Sequence, residues 1–114
     1  MAEHNQNELE DTKALIIRDF ELEEKEPVAT EADLLRLLAD QIAYMIEYDL
    51  EVLLSNMYRL DISENKVHDA LSPLSPVPAN EALARLVLER QKQRAYTKKH
   101  YKQPDLGDLD GLEL

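Results

Sequence analysis

His4, His68 and His100 are the side chains of this chain best suited to metal binding or proton transfer, and they lie in three separate segments. His68 has carboxylates at helical spacing, with Glu64 four residues before it and Asp69 beside it. The di-metal sites of helical bundles need two Glu-x-x-His motifs and two further glutamates. A single Glu-x-x-x-His pair is half a site at best, and an exposed helical pair accounts for it. Glu47, Asp49 and Glu51 alternate along one stretch. On a helix, alternating residues diverge, whereas paired-carboxylate chemistry needs two groups held at a defined separation. Ser55, Ser63, Ser72 and Ser75 have no histidine and acid placed to activate them, and there is no glycine-rich phosphate loop. No catalytic, cofactor-binding or metal residue is therefore assigned, and an unrecognised helical enzyme or metal-binding bundle is the weakest of three functional readings.

Residues that could bind a partner are easier to find. Arg90, Lys92, Arg94, Lys98, Lys99 and Lys102 crowd together with Tyr96 and Tyr101, the composition of a nucleic-acid strip. Beyond them, Leu106, Leu109 and Leu112 are set among Asp105, Asp108, Asp110 and Glu113. Such a tail is either a solubilising end or a docking peptide, with leucines for an apolar groove and acids for a basic rim.

The net charge of −11 disfavours nucleic acid, because binding to phosphates is driven by cations that displace counterions. That total hides a segregation. Residues 1–33 hold 11 acids and 3 bases, whereas residues 81–104 hold 2 acids and 7 bases. The basic strip is accordingly expected to be neutralised by the acidic N-terminal arm or to dock an acidic protein. A small nucleic-acid-associated regulator using residues 90–102 is the alternative.

Glycine occurs twice, tryptophan and cysteine never. This is the usage of an all-α protein without disulfides or thiolate metal sites. No apolar run reaches the length of a membrane span, and the start MAEHNQNELEDTK lacks the basic and apolar regions of a secretory signal. A cytoplasmic setting is the expectation.

The elements that must position these residues follow from periodicity and punctuation. Residues 1–29 read as an acidic, partly disordered arm, with one apolar knot at Leu15, Ile16, Ile17, Phe20 and Leu22 that docks on the domain. Thr30 with Asp33 makes a capping arrangement. From Leu34 to Leu60, 18 of 27 positions are apolar or tyrosine with no proline or glycine, so one long helix is predicted, too apolar to be covered on one side only. Asp49 falls inside its apolar arc. Either the chain breaks near Tyr48, or Asp49 pins the register by pairing with Arg90 or Arg85 on an antiparallel helix.

Asp61 or Ser63 is placed to cap a short second helix, prolines 73, 76 and 78 make a connector, and Asn80 is a plausible cap for a third helix from Glu81 to about Lys102. The expected fold is thus all-α: a long helix with an antiparallel third helix and a short bridging helix, between flexible acidic termini. The helical domain spans 30–103 and the tail 104–114.

The stretches LLSNMYRLDI and LARLVLERQKQR resemble segments of uncharacterised short helical proteins from bacteria, over about half of the chain. The resemblance implies a bacterial cytoplasmic setting and assigns no functional residue. The function expected from the residues themselves is a non-enzymatic protein-interaction module: an adaptor, a regulatory subunit or an oligomerising accessory factor. A symmetric homodimer through the long helix is the simplest arrangement, with no cofactor and no membrane partner.

Overall fold

The computed structural model describes residues 2–101. The described chain is all-α, with five helices: α1 (Ala2–Phe20), α2 (Glu31–Tyr48), α3 (Leu50–Arg59), α4 (Glu64–Leu71) and α5 (Ala79–Tyr101). Helix α5 is the centre of the molecule, contacted by α1, α2 and α4. Its buried stripe runs through Leu83, Ala84, Val87, Leu88, Gln91 and Ala95 at three- and four-residue spacings, the period that keeps one face inward.

The segment read as an arm with a docking knot is the helix α1. Thr12, Ile16 and Phe20, four residues apart, are buried, with Ile16 at 0% and Phe20 at 2% exposure. Ile16 and Phe20 join one core with Leu34, Leu38 and Ile42 of α2 and Leu83 and Val87 of α5. Composition hides this because acids fill the outer face of α1, while a stripe one residue wide per turn does the packing. Glu21 ends the helix in the left-handed conformation, with φ of 52°, and the Leu22 N–H donates to the Ile17 carbonyl at 3.1 Å. That is the closing bond of a Schellman turn, a position glycine usually fills.

Helix α2 starts where its capping residues predict. The Thr30 hydroxyl accepts from the Asp33 N–H at 3.1 Å, and the Asp33 carboxylate accepts from the N–H groups of Thr30 and Ala29, each at 3.2 Å. The Ala29 N–H and the contacts with Thr30 hold the Asp33 carboxyl below its ordinary range.

The single long helix predicted from Leu34 to Leu60 is two helices. The chain breaks at Asp49, whose φ of −141° and ψ of 48° lie outside the helical region. The Asp49 N–H still donates to the Met45 carbonyl at 2.8 Å, and its own carbonyl accepts from the Leu53 N–H at 3.0 Å. The bend turns Leu53, Met57 and Leu60 into the core and leaves Asp49 exposed at the start of α3, where a carboxylate suits the positive end of the helix dipole. Helix α3 closes with another Schellman turn: Asp61 has φ of 62°, and the Ile62 N–H donates to the Met57 carbonyl.

Asn80 lies inside α5 and does not cap it. Its amide donates to the Ala39 carbonyl of α2 at 3.2 Å, which with the Lys92–Glu31 ion pair sets α2 and α5 antiparallel.

Two measurements check this account. Phe20→Ala is expected to cost about 3–5 kcal/mol by urea unfolding, the range for a large buried aromatic; a loss close to zero would mean that α1 is a loose arm after all. The Asp33 carboxyl has a lower value folded than unfolded, so its stabilisation is complete above the unfolded value and lost as the pH falls through the folded one. The stability gap between wild type and Asp33→Asn should therefore narrow as the pH drops from about 5 to about 2, and a gap independent of pH would contradict the cap geometry.

Candidate functional site

The basic residues singled out in the sequence divide into two groups. Arg90, Lys92 and Arg94 are turned back onto the fold. The Arg90 guanidinium donates from Nε to the Leu60 carbonyl at 2.7 Å and lies 3.9 Å from the Asp61 carboxylate, so it caps the C-terminus of α3, where a cation also meets the negative end of the helix dipole. The pairing of Arg90 with Asp49 does not form; Asp49 stands exposed at the helix break while Arg90 is taken by Leu60 and Asp61.

Lys92 pairs with Glu31 at 3.0 Å, and that hydrogen bond holds its ammonium above the usual lysine range. Arg94 donates to the Gln91 amide oxygen at 3.0 Å and lies 3.5 Å from Asp19. Lys98 and Lys99 are exposed. Lys102, Leu106, Leu109 and Leu112 lie outside the described residues.

A residue that motif reading passed over holds this region together. Gln91 has no exposed surface, and its amide nitrogen donates to the Asp19 carboxylate at 2.7 Å. A buried amide without partners costs about 1–3 kcal/mol. Here the carboxylate accepts its N–H and Arg94 donates to its oxygen, so Asp19, Gln91 and Arg94 form a satisfied polar junction between α1 and α5. The signal was present in the stripe Ala84, Leu88, Gln91, Ala95, where Gln91 is the lone polar member.

Beside this junction an open groove of about 1150 Å³ runs between α1, the α3–α4 corner and the outer face of α5, past Leu9, Thr12, Ile62, Lys92 and Tyr96. Tyr96 stacks on His100 with ring centroids 3.9 Å apart. Both signs of charge line the groove, Glu31 and Glu89 as well as Lys92 and Lys99, so it does not select a ligand by charge. Among the described residues there is no group of three or more His, Asp or Glu side chains that could hold a metal ion, and no helix is long and apolar enough to cross a membrane.

The most unusual surface is on α2 and α3. Tyr44, Tyr48 and Tyr58 are 54%, 65% and 77% exposed, and Leu50, Val52 and Leu54 are exposed beside them. Tyr44 and Tyr48, one turn apart, have ring centroids 4.9 Å apart. On α3, Leu50, Leu54 and Tyr58 repeat every four residues and share one face, along the edge of the buried stripe of Leu53, Met57 and Leu60. The two apolar stripes run up to Asp49 from either side.

Comparison with protein families, with characterised proteins and with solved structures returns no match.

Masking of the basic strip is testable with point changes that keep the shape and an acceptor oxygen at each pairing carboxylate. Removing residues 1–26 would take Ile16, Phe20 and Leu22 out of the core, so point changes at the pairing carboxylates are needed. Asp19→Asn with Glu31→Gln frees Arg94 and Lys92 and is expected to increase retention on a polyanion resin at low salt, an effect that fades as salt screens it. Unchanged retention would show that these acids do not shield the strip.

Proposed function

We propose that this chain is a non-enzymatic protein-interaction module whose docking surface is the exposed tyrosine and leucine face of α2 and α3. The observation that carries this reading is the exposure of Tyr44, Tyr48, Leu50, Leu54 and Tyr58 on two helices that both contribute side chains to the core. Monomeric soluble proteins rarely leave contiguous large apolar groups uncovered unless something covers them in use. Tyrosine is also the residue type most enriched at such sites, with an apolar ring and a polar tip. The width of the apolar arc over residues 34–60 accords with this double duty: one side packs into the core and the other faces outward.

The nucleic-acid reading has less support. Among the described cations of the strip, Arg90, Lys92 and Arg94 already face a carbonyl or carboxylates, which leaves Lys98 and Lys99 beside Tyr96. Phosphate binding gains from each counterion released, and two free lysines on a chain of net charge −11 release few.

A photoreactive side chain placed at position 48 or 54 in cells that make the protein tests the proposal. It is expected to yield a discrete protein adduct absent from the same probe at position 23, in the link between α1 and α2. If positions 48 and 54 give no adduct beyond the background of position 23, the face is not a docking surface.

A further inference from the structure

The charge around the exposed face says what kind of partner fits it. Asp40, Glu47, Asp49 and Glu51 are exposed along the same two helices, and Asp40 and Glu47 lie one turn either side of Tyr44. None of the four takes part in an ion pair among the described residues. The two bases nearest in sequence are engaged elsewhere, Arg36 beside Asp33 at 3.9 Å and Arg59 with the Asn56 amide oxygen at 2.7 Å. The stretch from Asp40 to Tyr58 therefore carries four negative charges and no positive one.

Resting on the docking reading above, we propose that the occupant of this face is a basic amphipathic helix of a partner protein, its apolar residues seated on the tyrosines and leucines and its lysines or arginines paired with Asp40, Glu47, Asp49 and Glu51. Three features select it. Complementary charge at a rim speeds encounter and rejects partners of like sign. The paired rings of Tyr44 and Tyr48, beside Glu47, attract a cation through their π faces as well as through the carboxylate. The size also fits: at their observed exposures the three tyrosines offer about 400 Å², roughly half of what one partner contributes to a standard interface, an area suited to one helix laid on the face.

The same charges oppose the other occupants. A symmetric dimer through this face brings two surfaces together that each carry four carboxylates and no base, the arrangement that electrostatic complementarity rejects. Residues 105–114 of the chain hold four acids and no base, so the leucine tail meets like charge as well.

The test uses the full chain and two labelled synthetic peptides of about 18 residues, five helical turns, with leucines at i, i+3, i+4 and i+7. One carries lysine at the flanking positions, the other glutamate. The lysine peptide is expected to bind at least about tenfold more tightly than the glutamate peptide, a difference of about 1.4 kcal/mol. Tyr48→Ala with Leu54→Ala should weaken it about tenfold or more, and so should Glu47→Lys with Glu51→Lys, which should also raise affinity for the glutamate peptide. Glu64→Lys with Asp69→Lys makes the same change in net charge on α4, which packs on α5 and does not border the face, and should leave binding as it was.

Equal weakening by the near and remote charge changes would mean attraction to bulk charge and would overturn the proposal. If the alanine pair matters but the two peptides bind alike, the docking face stands and the basic partner falls. If neither matters, both readings fall. A dimer in sedimentation that the alanine pair disperses would identify a second copy as the occupant, and again overturn the proposal.

Discussion

Gln91 sits at the middle of α5 with no exposed surface, and a buried amide is tolerable only where both of its ends are satisfied. Asp19 accepts from one end and Arg94 donates to the other, which requires α1 to lie on α5 in one register. Once it does, Ile16 and Phe20 are fixed in the core, and α5 is covered on the side that α2 leaves open. The junction therefore ties an acidic segment of low apolar content to a domain that would otherwise expose half of its central helix. Apolar packing supplies most of the attraction, being roughly proportional to area and without direction; the direction comes from the amide.

How much of this was legible in the sequence depended on whether a signal was local. The start of α2 was legible because Thr30 and Asp33 satisfy each other within four residues, and the approach of basic strip to acidic segment was legible because opposite net charges were separated along the chain. The break at Asp49 was visible only as an ambiguity. A carboxylate in an apolar arc is explained equally well by a bend or by a buried partner, and which one holds depends on where Arg90 finds its acceptor. That acceptor is the carbonyl of Leu60, a backbone group with no sequence signature. α1 was misread for a related reason: composition averages over its circumference, whereas burial reads a stripe of Thr12, Ile16 and Phe20 that is one residue wide per turn.

Positive charge on α5 and negative charge on α1 and α2 do structural work before they do anything else. Arg90 closes the end of α3, Lys92 links α5 to the first turn of α2, and Arg94 completes the Gln91 junction. A cluster of cations that reads as a nucleic-acid strip in one dimension is in three dimensions mostly a set of fasteners, each worth little if exposed but directed at a different neighbour. The carboxylates along α2 and α3 are the reverse case. Asp40, Glu47 and Glu51 contribute to no described ion pair and lie on the same two helices as the exposed rings, the arrangement on which the proposed docking face rests.

The bend at Asp49 joins the two themes. A straight helix from Leu34 to Leu60 would measure about 40 Å at 1.5 Å per residue, longer than the buried stretch of α5 from Leu83 to Ala95, about 18 Å on the same rise. Its last turns would overhang with Leu53, Met57 and Leu60 uncovered. Bending at one residue brings those three into the core, and because α3 is apolar around more than its buried face, the same rotation carries Leu50, Leu54 and Tyr58 to the outside. The outward face is thus a geometric consequence of the break plus a choice of residues that the break does not demand. Glutamate or lysine at 58 would satisfy the fold equally well on an exposed face. Leu50 and Leu54, 41% and 38% exposed, still cover the edge of the core, whereas Tyr58 at 77% exposure adds little to it, and it is that ring, with Tyr44 and Tyr48, on which the proposed docking face rests.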